Sequence, residues 1–281
     1  MKVLVTGAAG YIGRHVVKQL LDMGQEVIAV DLRFDGVDAR AKQCSIPIFS
    51  EDKEIYQKLG KPDVCIHLAW RDGFVHFSEA HMADLSKHIA FCNYMMAGGL
   101  PALAVMGTMH EVGYWEGSID ENTPCNPLSQ YGIAKNAMRQ SLMISALQYG
   151  CCLYWLRGFY ITGDESHSNS IFAKITKAEQ EGKSFFPFTS GKNQYDFVDV
   201  DTLATMIAAA SLQKEIMGII NLCTGTPISL AEKVESYIKE KQYHIRLQYG
   251  VYPERPYDSP SIWGNATKIC KIMNQYKENS K

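Results

Sequence analysis

Tyr131 and Lys135 stand four residues apart at the start of a run, 131–148, whose apolar side chains recur at helical spacing. Both therefore project from one face of a helix, one turn apart. A phenol with its ordinary pKa of about 10 is a poor base at neutral pH. A lysine cation one turn away favours the phenolate and brings the pKa towards the range where proton transfer is efficient. Thr108 follows a strand-like run over 102–106, and its hydroxyl can steady charge that develops on a reacting oxygen. An acid/base with an aligned donor suits proton exchange at an alcohol or ketone while hydride moves to or from a cofactor.

A cofactor site is written at the N-terminal end. Val3 to Val5 form a short buried strand, Gly7, Gly10 and Gly13 read G-x-x-G-x-x-G, and residues 14–23 resume helical spacing with Val16, Val17, Leu20 and Leu21. Strand, glycine turn and helix together admit a pyrophosphate close to the backbone and offer it a positive helix end. Gly7, Gly10, Tyr11, Ile12 and Gly13 are the expected contacts. Asp31 closes a second strand, 26–30, 18 residues beyond Gly13. A carboxylate there accepts from both ribose hydroxyls and repels a 2′-phosphate, which favours NAD over NADP. Arg33 keeps NADP open, since a guanidinium could hold that phosphate.

The chain has 281 residues, 46% of them hydrophobic, and a formal net charge of −2. That supports a sizeable core in one large or two closely joined domains. The near-neutral balance carries no basic stripe for nucleic acid, and no apolar run reaches the roughly 20 residues of a membrane span. The N-terminus reads as a strand rather than a signal peptide. Eight cysteines without metal spacing or C-x-x-C point to reduced thiols, no metal site and a cytoplasmic protein.

Strand and helix patterns alternate through the first 160 residues: a third strand over 45–49, a helix over 52–59, a fourth strand over 63–69, a long helix over 79–97, a fifth strand over 102–106 and a sixth over 151–156. Such alternation predicts a doubly wound, Rossmann-like parallel sheet of the α/β class. The end of the fourth strand, His67-Leu68-Ala69-Trp70, falls where cofactor-lining residues sit in such sheets. Leu68 and Ala69 are expected on the cofactor, and His67 is expected to be packed. Later elements are helices over 171–181, 202–212 and 229–240 and strands over 196–201 and 219–223. From about residue 243 the tail reads as strand-like and then loop-rich, around Pro253, Pro256 and Pro260. The expected organisation is a cofactor domain over 1–163, with contributions from about 196–224, and a small α/β substrate lobe over 164–281.

These motifs in this order resemble the extended short-chain dehydrogenase/reductases, the NAD-dependent epimerase/dehydratase family acting on nucleotide sugars. The segment from Pro127 to Lys135 is similar to the family's Pro-x-x-x-Tyr-Gly-x-x-Lys. The runs from Asp196 to Asp201 and from Asn221 to Gly225 are similar to later family motifs. The resemblance implies that Lys135 also holds the nicotinamide ribose, and that Trp70, His110, Tyr160, Asn169, Tyr195 and Arg255 contact a nucleotide-sugar substrate. It further implies a homodimer through the 79–97 and 131–148 helices, where Phe91, Met95 and Met143 exceed one sheet-facing stripe.

There are departures. Dehydratases carry Asp-Glu directly after the threonine; here Met109 and His110 stand there, and Glu111 is one position late. Water elimination is therefore unsupported, and His110 is either a substrate-shaping residue or a satisfied loop histidine. Tyr195 replaces an arginine that meets the substrate diphosphate, leaving Arg255 for that task. The resulting expectation is NAD(P)-dependent oxidoreduction at C4 of a nucleotide sugar, with a 4-ketoreductase favoured. A 4-epimerase that retains NAD is the first alternative, and a non-catalytic dinucleotide-binding member the second.

Overall fold

The computed structural model describes residues 1–164, 170–254 and 258–279. The first half alternates as β1 (Lys2–Thr6), α1 (Gly13–Asp22), β2 (Glu26–Val30), β3 (Lys42–Cys44), α2 (Ile55–Lys58), β4 (Val64–His67), α3 (Ala80–Ala97), β5 (Ala102–Thr108), β6 (Gly117–Ile119), α4 (Gln130–Tyr149) and β7 (Cys152–Gly158). The second half runs β8 (Tyr160–Thr162), α5 (Ile171–Gln180), β9 (Phe185–Pro187), β10 (Gln194–Tyr195), β11 (Phe197–Asp199), α6 (Val200–Leu212), β12 (Gly218–Leu222), β13 (Ile228–Ser229), α7 (Leu230–Glu240), β14 (Arg246–Gln248), β15 (Ser261–Gly264) and α8 (Thr267–Asn279).

Seven strands form one parallel sheet in the order β12-β7-β5-β4-β1-β2-β3. The order reverses between β1 and β4, which are hydrogen-bonded neighbours. Alternation along the strands divides their side chains between two faces. Val3, Val5, Ile66 and Leu156 pack with α1, α6 and α8 on one face. Leu4, Cys65, Val105 and Trp155 pack with α2, α3 and α4 on the other. A third cluster, built on Phe172, Phe188, Tyr195, Val234 and Ile262, joins α5, α7 and the small strands to Met109 and Val112.

Three expectations change. The third strand is Lys42–Cys44, paired with Ile28–Val30, rather than 45–49. Pro47 in the expected segment has no N–H for a ladder. The tail is not loop-rich to its end: α8 buries Ile269 and Ile272 against the first face. Finally, Phe91 and Met95 are not surplus outward residues on α3. They are 1% and 0% exposed and face the sheet, while Met143 is half-buried beside them. The outward apolar residues of these two helices include Met82, Ile133, Ile144 and Leu147, the last 86% exposed.

Among the described residues, no helix is long and apolar enough to cross a membrane, and no group of three or more His, Cys, Asp and Glu side chains is placed to hold a metal ion.

Candidate active site

The ends of β1, β4 and β5 lie side by side where the strand order reverses. Gly7 has φ +68°, and a Cβ there would stand 2.6 Å from the Ala69 backbone N. A Cβ on Gly13 would stand 2.0 Å from the Gly7 carbonyl oxygen. Only glycine lets the turn lie this close to β4 and to itself. No side chain caps α1 at Ile12, so the helix end is left for an anion. Asp31, just past β2, accepts from the Ala9 N–H at 2.9 Å and the Leu32 N–H at 2.7 Å. It is thereby fixed at the rim of the turn. Tyr11 donates to the Gly163 carbonyl, and Arg14 is paired with Asp164. A dinucleotide fits this set: a cradle that a Cβ would fill, an uncapped helix end, and a carboxylate for a ribose.

Thr108 ends β5 and caps the short 3₁₀ turn Met109–Glu111. Its hydroxyl accepts from the His110 N–H, and its own N–H donates to Glu111 Oε1 at 2.7 Å. Glu111 is fully buried. Both its oxygens take the Trp155 indole N–H, and the Arg139 and Arg157 guanidinium groups each lie 3.6 Å away. Burial raises the Glu111 pKa despite these partners. The carboxylate that stands one position late in the sequence thus sits behind Thr108 and anchors its backbone.

Ser129 caps α4 by accepting from Gly132, which starts the helix at Gln130 and sets Tyr131 in its first turn. Burial pushes the Tyr131 phenol well up, against the opposing effect of the Thr108 side chain. Lys135, 3% exposed, turns its ammonium to the Met106 carbonyl at 2.8 Å and to the Trp70 indole face, 3.6 Å from the ring centroid. Its distance to the Tyr131 ring centroid is 5.9 Å. Burial lowers Lys135 to about 7, against the attraction of Glu111. Burial and the Glu111 charge hold the phenol in its protonated form, and the expected pull of Lys135 on it is not seen.

Five of the eight histidines surround this pair. His67 links Thr6 Oγ1 to His88, with both contacts at 2.8 Å. His76 stacks on Tyr131 with centroids 5.4 Å apart, and its carbonyl accepts the Tyr131 N–H. His110 lies 4.4 Å from His76, centroid to centroid, and 6.2 Å from Tyr131. Trp70 Nε1–H donates to His81 Nδ1 at 3.0 Å, so His81 carries its proton on Nε2 and gives it to the Val75 carbonyl. Burial lowers His67 well below its ordinary pKa and brings His88 and His110 to about 3.

The NAD dependent epimerase/dehydratase family matches residues 3–223. The chain belongs to this family of NAD-dependent enzymes. A dTDP-6-deoxy-L-talose 4-dehydrogenase (NAD(+)) of Aggregatibacter actinomycetemcomitans is 43% identical over 272 residues, 94% of this chain and 99% of the relative. The UDP-glucose 4-epimerase of Thermus thermophilus, solved in complex with NAD, superposes with a TM-score of 0.83 at 21% identity, covering 98% of this chain and 93% of that one. The UDP-glucose 4-epimerase of Thermotoga maritima, solved with UDP-glucose, gives 0.81 at 24%, covering 96% and 92%. Both solved structures share the doubly wound fold.

Within this member of the epimerase/dehydratase family, the two later motifs meet. The buried Asp196 carboxylate accepts from the N–H groups of Thr224 and Gly225 at 2.8 Å each, and from the Thr224 hydroxyl at 2.7 Å. Tyr160 and Tyr195 pack on each other, centroids 4.2 Å apart, in the third cluster. Asn169 and Arg255 lie outside the described residues. Trp70 lies against Lys135 and stacks on His88 at 4.4 Å. Sequence reading missed His76, His81 and His88, and gave Glu111 no task. A histidine on a loop or helix carries no local signal of its partners, whereas Arg157 at the end of a buried strand did ask for a buried anion.

His67 and His88 generate a pH prediction. Both are buried and stay neutral in the fold far below the ordinary histidine pKa of about 6.5. The unfolded chain takes up these protons below that pH and the folded chain does not. Their contribution is complete above pH 6.5 and drains as pH falls towards 3, by about 1.4 kcal/mol per pH unit for each histidine. Denaturant unfolding at pH 7 and pH 5 should show this loss, and His88→Gln should shrink it. Equal stability at the two pH values for the wild type would refute the assignment.

Proposed function

We propose that this chain catalyses NAD(H)-dependent oxidoreduction at C4 of a nucleotide-activated sugar. In the reductive direction it is a nucleotide-4-keto-sugar reductase. The observation that carries this reading is the convergence of Thr108, Tyr131 and Lys135 beside the glycine turn. The similarity to a dTDP-6-deoxy-L-talose 4-dehydrogenase supports C4 as the reacting carbon and a dTDP-linked 6-deoxyhexose as the substrate class.

NAD(H), when bound, supplies or accepts the hydride. Gly7, Gly10, Tyr11, Ile12 and Gly13 would line its phosphates, Asp31 would hold its adenosine ribose, and Leu68 and Ala69 would line the strand end opposite. Tyr131 donates its phenolic proton to the carbonyl oxygen at C4 as that oxygen becomes an alkoxide. In the oxidative direction the phenolate takes the proton back. A phenol kept protonated by burial suits the donor role. Thr108 donates to the same oxygen and steadies its charge. Lys135, one turn along α4 from Tyr131, would hold the cofactor ribose. His110 and His76 border the sugar on the Tyr131 side, with Tyr160, Tyr195, Asn169 and Arg255 assigned to the rest of the substrate. Met109, 6% exposed in the third cluster, offers no carboxyl for elimination.

The deciding experiment supplies dTDP-4-keto-6-deoxyhexoses with NADH and follows the NADH absorbance. Turnover supports a reductase. Tightly retained NAD with interconversion of C4 epimers would make the protein an epimerase instead. Retained NAD without turnover on any nucleotide sugar would make it a dinucleotide-binding protein. Tyr131→Phe should lower the rate by about 10²–10⁴ with cofactor binding intact, and Thr108→Val by about 10²–10³. Near-normal turnover in Tyr131→Phe would transfer the proton donor to His110.

NAD(H) should bind more tightly than NADP(H), with Asp31→Ala narrowing the difference in calorimetric titration. Arg14 is engaged by Asp164, and Arg40 by Asp22 and Asp38. Arg33 is the neighbouring arginine that would take over if the wild type preferred NADP(H). We further propose a homodimer through α3 and α4, on the outward residues Met82, Ile133, Ile144 and Leu147. Light scattering at micromolar concentration should give twice the 31.5 kDa chain mass, and Leu147→Glu should shift it towards monomer. A monomeric wild type would overturn the assembly.

A further inference from the structure

We propose that Trp70 is the electrostatic partner of Lys135: its indole face holds the lysine ammonium in the buried site and favours its charged form. This rests on the proposed role of Lys135, and makes Trp70 a positioning residue rather than a substrate contact.

The surroundings of Lys135 lead to this assignment. The side chain is 3% exposed, so its charge has lost most of its water. A buried cation normally finds a carboxylate. Among the described residues, the acidic group that acts on it is Glu111, on the 3₁₀ turn, and that carboxylate is shared between Arg139, Arg157 and the Trp155 N–H. The other titratable groups facing Lys135 are neutral. His67 on β4 and His88 on α3 are held uncharged by burial, Cys92 on α3 is held as a thiol, and Tyr131 on its own helix as a phenol. What remains is the Met106 carbonyl at 2.8 Å, the Trp70 ring at 3.6 Å and, much farther off, the Tyr131 ring at 5.9 Å. A cation within about 6 Å of an indole centroid is attracted by the ring quadrupole, most strongly when desolvated.

The indole is also held in place. Its N–H is tied to His81, whose other ring nitrogen is tied to the Val75 carbonyl, and the ring stacks on His88. The ring plane cannot turn edge-on to Lys135 without breaking that chain. A tryptophan fixed by its N–H, with a cation over its face, is arranged for charge rather than for filling space.

The test reads Lys135 directly. With lysine labelled by ¹³C at Cε, its resonance is assigned by its loss in Lys135→Arg, and its titration midpoint is followed by NMR. Trp70→Leu should lower the midpoint by about one pH unit, and Trp70→Phe by less. Should Trp70→Leu fail to fold, biosynthetic incorporation of fluorinated tryptophans keeps the shape while weakening the ring's potential, and the midpoint should fall with each added fluorine. A midpoint indifferent to both series would overturn the inference. Activity is a separate readout: in Trp70→Leu the pH profile of kcat should move with the NMR midpoint. Should Lys135→Met retain normal turnover, the catalytic reading of Lys135 fails while the titration result on Trp70 stands.

Discussion

A parallel sheet whose strand order reverses must open a crevice between the two strands where the crossovers part. Here those strands are β1 and β4, and the crevice is narrowed until only hydrogen fits at Gly7 against Ala69. That contact fixes the start of α1 over the sheet. It also brings His67 within reach of Thr6 and leaves Trp70 just beyond the strand end. From there the indole reaches Lys135 on α4. The glycine turn and the Trp70–Lys135 contact thus lie on either side of one close approach of two backbones.

The second organising fact is how charge is buried. Glu111, Arg157 and Lys135 all lie inside, at 0%, 0% and 3% exposure of the side chain or residue. Desolvation of each would cost several kcal/mol if left uncompensated. Glu111 meets two guanidinium groups, an indole N–H and a backbone N–H, so its compensation is spread over separate segments of chain. This fixes Thr108 from behind while its hydroxyl faces Tyr131. The Thr108 backbone is thereby held by a network of buried charge behind it.

Legibility in the sequence followed the range of the interactions. The glycine turn, Asp31 and the Tyr131–Lys135 spacing are local, and each lies in the structure where residue order places it. The family resemblance was likewise readable from short motifs. The histidine cluster was not, because His67, His76, His81, His88 and His110 come from a strand end, a loop, a helix and a 3₁₀ turn that only the fold brings together. Phe91 and Met95 were misassigned because a helix packed on both a sheet and its neighbour buries more than one stripe. The final helix was readable and overlooked. Ile269, Ile272, Met273 and Tyr276 have helical spacing, but three prolines just upstream drew the tail towards loop.

That final helix changes how the molecule can be divided. Among the described residues, the chain leaves the large sheet for the third cluster at 109–119, again within 159–164 and 170–198, and again within 223–254 and 258–266, and after each excursion returns to a sheet strand or a helix packed on it. The smaller body is stitched to the larger one rather than appended to it. Recombination between relatives could not transplant it as a cassette at a single junction; three separate segments would have to travel together, with the Asp196–Thr224 joint kept inside the graft. A body joined in this way changes more readily residue by residue than by exchange of a module.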